Sequence, residues 1–474
     1  VQCDVLLQNA RVVDPRNGVD GQFDLAISDE VVCGVERKLE PQDASEVYDV
    51  SGMVVMPGVI DLHVHTSRRH KGYNAHRMMA RAGVVTALDL GGPLDEFLEF
   101  CRNNPAGLNM AALQAVRPGH TTRDEDPGPS EIADVLQESV ERGALGLKIL
   151  GGHYPLTPEA TRRIMEVCNE HRKHVAFHSG TTRTPGNVDG LLESIDLAEG
   201  LRLHLPHINS YCRGAVRGAT QEISEALEAL QGRENLFTEA YLAIINGTSG
   251  RCTDGLPESL ATRRCLEEGG YEATQEGLRR AIIDGYARVG KESSGENINV
   301  TGEEALEEWK YRDTVVSVNF PVNPAEGRLL CAVARDDTGD FIVDAISTDG
   351  GGHPRNVAVE CGLALVRTQG LTMNEFVQKT SWMPAEIIGL PGKGHLAPGA
   401  DGDVTVVDPE RCRPVMSFNR GRLIMHRGAV VGNETTVITT EHGRKAIQDM
   451  GLRAYTADTQ DGIFYADDPR AALK

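Results

Sequence analysis

Three patterns in the sequence predict an α/β protein: a (β/α)8 TIM barrel with a small flanking β-sandwich domain formed by both chain ends. In the middle of the chain, short apolar runs bounded by turn residues alternate with helical patterns, as parallel βα units do. Eight such runs are present: Val59–His65, Val84–Leu90, Leu108–Val116, Ala144–Leu150, His174–Ser179, Leu203–Asn209, Leu236–Tyr241 and Asp344–Thr348. Histidine, lysine and aspartate residues close the first, fourth, fifth, sixth and eighth runs, and a barrel of this kind carries its catalytic groups at those ends. A doubly wound open sheet alternates in the same way, but it would not spread candidate ligands over so many strands.

The chain ends have a different texture. Residues 1–56 alternate apolar and polar side chains between turns, as in Val5-Leu6-Leu7-Gln8-Asn9-Ala10-Arg11-Val12-Val13, and read as antiparallel strands. Residues 403–432 repeat the style in Asp403–Asp408, Arg422–Met425 and Gly428–Val431, so the two ends should pair into one β-sandwich. The catalytic barrel then spans 57–402. Within it, the stretch from about 242 to 343 is too long for a simple connection between strand and helix. Its helical pattern over Leu278–Ala287 and polar Gly/Ser/Asn segment at 289–299 predict an inserted subdomain over the barrel mouth. Residues 433–474 form a C-terminal tail without identifiable chemistry, fit to wrap the barrel or to serve an oligomer contact.

Composition narrows the class. At 474 residues the chain can bury a large core. Its 48 Lys and Arg against 69 Asp and Glu give −21, which argues against nucleic acid or an anionic membrane as partner. No apolar run approaches the roughly 20 residues that span a bilayer. Val1-Gln2-Cys3-Asp4-Val5 has no basic region leading into an apolar core, so no secretory signal is expected. The ten cysteines lack CxxC spacing and suit reduced thiols in a cytoplasm. A cytoplasmic homo-oligomer acting on a small molecule is the expectation.

The richest stretch is Met56-Pro57-Gly58-Val59-Ile60-Asp61-Leu62-His63-Val64-His65. Side chains at i and i+2 of a strand share a face, so His63 and His65 point together. Two converging imidazoles are half of a metal site; the plain alternative is the wet face of an edge strand. Lys148, His178, His207 and Asp349 end four further runs, and that joint pattern favours metal. His204 competes with His207, although Pro206 suggests that the strand stops before it. His153 and His353 follow the lysine and aspartate strands on active-face loops, where they would face substrate. Arg68 and Arg69 follow the HxH directly and Arg355 follows Asp349 in His353-Pro354-Arg355; an arginine fork suits bidentate carboxylate binding, and the plain reading is surface arginines.

The order HxH, Lys, His, His, Asp resembles the amidohydrolase superfamily, which includes dihydroorotase, hydantoinase and D-aminoacylase. Val54-Val55-Met56-Pro57-Gly58 and the Gly394–Asp403 turn also match, and the likeness runs over about residues 3 to 432. The resemblance implies that His63, His65 and Asp349 hold one divalent metal and that His178 and His207 hold another. Both would be zinc, with manganese or cobalt as alternatives, bridged by a hydroxide and by Lys148 carboxylated to a carbamate. An ion pair between Lys148 and a nearby carboxylate is the competing reading. The resemblance further implies that Asp349 serves as general base and then acid, and that Arg68, Arg69 or Arg355 binds a substrate carboxylate.

Gly143–Tyr154, Phe237–Tyr241 (with Tyr241 as a substrate-facing residue) and Ser347–Arg355 look most like N-acyl-D-amino-acid deacylases. Those enzymes place a bridging cysteine on the second strand and no lysine on the fourth. Here Val84–Leu90 has no cysteine and Lys148 is present, so a deacylase-like scaffold carries a dihydroorotase-type centre. The expected reaction is hydrolysis of a C–N amide bond in an N-acyl amino acid or related acyl-amine. Ring-opening of a cyclic amide or imide is the alternative, deamination of a heterocycle the third, and a non-catalytic scaffold the last.

Overall fold

The computed structural model describes residues 3–66 and 74–469. Strands from both chain ends share one nine-stranded sheet. Val404–Asp408 pairs antiparallel with Val54–Pro57, which lies parallel to Cys3–Asp14. A core that includes Val12, Ile27, Val55, Val406 and Phe418 fills its apolar side. Asp403 ties this sheet to the rest of the chain: its carboxylate accepts from buried Lys393 at 2.7 Å, from Asn109 Nδ2 at 2.8 Å and from the Arg420 N–H at 2.9 Å. A charge buried this deeply needs such partners, which gives the Gly394–Asp403 turn a structural reason for its lysine and aspartates.

The middle of the chain contributes parallel strands. They are β1 (Val59–His65), β2 (Val84–Asp89), β3 (Asn109–Ala112), β4 (Gln114–Val116), β5 (Gly146–Leu150), β6 (His174–His178), β7 (Leu203–Leu205), β8 (Leu236–Tyr241), β9 (Ala345–Ser347) and β10 (Gly350–Gly351). Neighbours pair in the order β10-β1-β2-β3 in one sheet and β4-β5-β6-β7-β8-β9 in another. Only Leu113 separates β3 from β4, and only Thr348 and Asp349 separate β9 from β10, so the two sheets are joined by chain at both seams.

The structure corrects three strand boundaries. The run at 108–116 breaks at Leu113, and the run at 344–348 stops at Ser347 before Gly350–Gly351 resumes. The run at 203–209 ends at Leu205, because Pro206 has no N–H for the ladder and His207 turns into the left-handed region at φ 43°. His207 therefore leads a short 3-10 helix, Ile208–Tyr211, instead of lying on the strand.

The inserted stretch has a sheet and core of its own, with Leu278, Ala281, Trp309, Val318 and Phe320 at its centre. Its polar segment forms a hairpin, Arg288–Ser293 with Glu296–Val300. Ser294 and Gly295 both have positive φ, 52° and 78°, as a two-residue turn of the I′ type requires.

The tail is not a loose extension. β11 (Thr436–Thr439) pairs parallel with β3, and β12 (Arg453–Thr456) pairs with β11. Farther on, Phe464 stacks on Phe237 at 4.8 Å and lies 4.4 Å from the His174 ring, fully buried. Burying one such side chain contributes about 1.5–3 kcal/mol. Among the described residues no helix is long and apolar enough to cross a membrane.

Candidate metal centre

The spacing of two in β1 brings both imidazoles to one carboxylate. His65 Nε2 is 2.8 Å and His63 Nε2 3.5 Å from Asp349 Oδ1. The three residues offer ligand atoms that all lie within 4.8 Å of one another. Asp349 sits between β9 and β10 at φ 51°, a conformation imposed by its neighbours. Asp61 on β1 holds it there: one carboxylate oxygen accepts the His63 and Thr348 N–H groups, each at 3.1 Å, and the other accepts the Thr348 hydroxyl at 2.5 Å. Gly351 pairs with His65 so closely that a Cβ would come within 2.5 Å of the His65 carbonyl oxygen. First and eighth runs are thus locked in register at their ligands.

A second pair of rings meets beside the first. His178, at the end of β6, places Nδ1 3.1 Å from His207 Nε2, and His207 lies 5.0 Å from the His63 ring. Ser210 Oγ is 2.7 Å from His207 Nδ1. His204 goes elsewhere, its Nδ1 3.2 Å from His174 Nε2 beside Phe464. The irregular end of the sixth run is what turns His207 toward His178. Lys148 on β5 is fully buried, and its Nζ has no hydrogen-bond partner among the described residues.

Burial sets the protonation states. It holds His63 and His178 well below the usual imidazole range and His207 at about 3, so all three rings are neutral and able to ligate. Burial also pulls Lys148 down to about 7, against the pull of Glu239 and Asp349. For Asp349 burial pushes upward, but Arg355 and the His63 and His65 rings outweigh it and keep the carboxyl well below the carboxylate range. Neutral imidazoles, an ionised carboxylate and a partnerless amine form a donor set that fits divalent metal.

Sequence reasoning passed over Glu239 and Asp61 as site residues. Glu239 on β8 lies 2.9 Å from His63 Nδ1 and accepts the Ser347 hydroxyl, and burial raises it to about 8. Both are lone acids inside apolar strands, the same signal that marked Lys148.

Substrate candidates divide. A cavity of about 890 Å³ is lined by His63, His65, Lys148, His178, His207 and Asp349 together with His153, His353 and the inserted segments 246–249 and 258–261. His153 is exposed, 5.2 Å from the His178 ring, and His353 is buried, 6.0 Å from the His65 ring. Tyr241 corrects its expectation: it is fully buried outside the lining, its hydroxyl accepting from Arg213 at 3.2 Å and lying 3.1 Å from Asn323 Oδ1. Arg355 reaches the lining, but its fork is engaged on Asp349 Oδ2 at 2.8 Å and on the Asp349 and Ile245 carbonyls. Arg68 and Arg69 lie outside the described residues.

The sequence profile of the amidohydrolase family matches residues 324–444, the stretch that contains Asp349 and the Gly394–Asp403 turn. Over 428 residues the chain is 24% identical to a dihydroorotase of Pelobacter propionicus, covering 85% of this chain and 90% of the relative. A dihydroorotase of Syntrophus aciditrophicus is 25% identical over 433 residues, covering 85% and 89%. Profile and relatives alike make the chain similar to the amidohydrolases. The chain is similar in structure to the N-acyl-D-glutamate deacylase of Bordetella bronchiseptica, solved with zinc and a phosphonate inhibitor (TM-score 0.66, 16% identical, covering 92% of this chain and 99% of that one). It is also similar to a D-hydantoinase (TM-score 0.56, 17% identical, covering 92% and 98%).

Proposed function

We propose that this chain is an amidohydrolase-superfamily member and a binuclear hydrolase of a small-molecule amide, with a linear N-acyl amino acid or acyl-amine as substrate. The strands are read as closing into a (β/α)8 barrel, with residues 1–56 and 403–432 as the small β domain. One observation carries the binuclear reading: Lys148 Nζ is buried without a hydrogen-bond partner among the described residues, on the strand next to that of His178 and in the same cavity lining as both histidine pairs. A neutral amine there can add carbon dioxide and release a proton, giving an anionic carbamate where an ammonium would be costly. Divalent metals, zinc foremost, held by His63, His65 and Asp349, by His178 and His207, and by carboxylated Lys148, would supply an activated water and a polarised scissile carbonyl.

The chain's own groups do the rest. Asp349 has one oxygen on Arg355 and the other facing His63 and His65. The latter oxygen is placed to accept a proton and return it to the leaving nitrogen. Glu239 orients His63 through Nδ1, and the inserted segments narrow the cavity and limit water.

Ring-opening of a cyclic amide is the second reading, favoured by the dihydroorotases matched over about nine-tenths of their length. One zinc-loaded preparation, screened against N-acyl amino acids, hydantoins, dihydroorotate, lactams and aminopyrimidines, tests both. Amine release from linear substrates with kcat/KM at least about tenfold above the rings is expected. Turnover confined to rings supports the second reading, and ammonia release from aminopyrimidines alone overturns both.

A further inference from the structure

We infer that Arg117, braced by Tyr154, is the residue that recognises a carboxylate on the substrate; this rests on the amide-hydrolase reading above. Arg117 immediately follows β4, at the same strand ends that carry the histidines, and it lines the same cavity. It is 8% exposed, and its Nε has no hydrogen-bond partner among the described residues. Among the described residues no carboxylate forms an ion pair with it. Its guanidinium lies 4.5 Å over the Tyr154 ring, and Nη2 donates to the Tyr154 hydroxyl at 3.2 Å. The backbone is pinned as well: the Arg117 N–H donates to Thr121 Oγ1 at 2.6 Å, and its carbonyl accepts from His120 at 3.1 Å and Thr121 at 3.0 Å.

A buried permanent cation without a counter-charge is costly, so the fold holds a binding capacity that an anion would fill. Of the other four cavity arginines three are already committed, and the fourth, Arg264, is exposed. Arg355 is paired with Asp349 and Arg251 with Glu258, while Arg213 donates to Asn323 and Tyr241. Among the described cavity arginines, Arg117 alone combines deep burial, an unfilled donor and a fixed backbone. A substrate with its amide at the histidines would reach it with an acid group.

The test is a binding measurement on the zinc-loaded protein, independent of turnover. Linear dicarboxylates from succinate to suberate are compared by titration calorimetry with their monoamides, one carboxylate being free to sit at the metals. Wild type should bind at least one diacid about tenfold or more tightly than its monoamide, as a charge-assisted pair implies. Arg117→Gln should bring that ratio within about twofold at unchanged zinc content, and Arg117→Lys should keep part of it. Tyr154→Phe, which keeps the ring, should lower the ratio several-fold. The proposal is overturned if wild type shows no preference for any diacid, if Arg117→Gln keeps the ratio, or if Arg117→Gln loses its zinc. Failure of the hydrolase reading would appear instead in the substrate screen.

Discussion

His63 Nδ1 lies 2.9 Å from Glu239 Oε1, with both side chains buried. When ionised, Glu239 fixes the imidazole as the Nδ1–H tautomer and leaves the Nε2 lone pair directed toward Asp349. Carboxylates placed behind a ligating histidine raise its basicity and hold its ring. Glu239→Ala should therefore weaken zinc binding by about 10–100-fold, read by competition with a chromogenic chelator. Unchanged affinity would mean that Glu239 is only packing.

Lys148→Ala should remove one or both metals and abolish turnover, with short carboxylic acids restoring part of each. Lys148→Arg should not rescue, because a fixed cation cannot stand between two cations. Metal analysis of the purified variants decides the matter. Two metals and near-normal activity in Lys148→Ala would sink the bridge.

The depressed Lys148 pKa also predicts a pH dependence for the metal-free protein. Between about 7, its folded value, and the ordinary 10.5, the unfolded chain binds a proton there that the folded chain does not. The contribution of this group to stability thus rises with pH across that window and is flat below it. Lys379 is depressed to about 7 as well, so the comparison must be wild type against Lys148→Met. Urea midpoints from pH 7 to 10 should climb more steeply for wild type; parallel profiles would contradict the shift.

Gly152 leaves no room for a side chain beside His178, where a Cβ would fall 2.3 Å from Nε2. Gly152→Ala should displace that ring and cost about a hundredfold in kcat, since misplacement by an ångström carries that scale. The urea midpoint should barely move. A variant with full activity would show that the loop yields instead.

Phe464 tests the tail. Phe464→Ala should destabilise the chain by about 3–5 kcal/mol through the cavity left against Phe237 and His174, measured by urea unfolding. A loss below about 1 kcal/mol would mean that the site collapses or that the tail docks weakly.

Much of this protein was legible before folding. Strand parity alone places His63 and His65 on one face, and a lysine inside an apolar run is conspicuous because burial penalises it. The same logic would have flagged Asp61 and Glu239, lone acids in their strands, had their neighbours been known. What the sequence by itself determined was therefore the set of strands and most of the residues gathered at their ends, since both follow from local periodicity and local cost. Tertiary structure decided the partnerships. That His207 turns to His178 while His204 meets His174 depends on a left-handed residue after Pro206. That Arg355 reaches the Ile245 carbonyl and that Phe464 completes the core against Phe237 from the far end of the chain are long-range contacts. No local pattern encodes them, because each exists only once residues a hundred or more positions apart, or loops of irregular backbone, have been brought together.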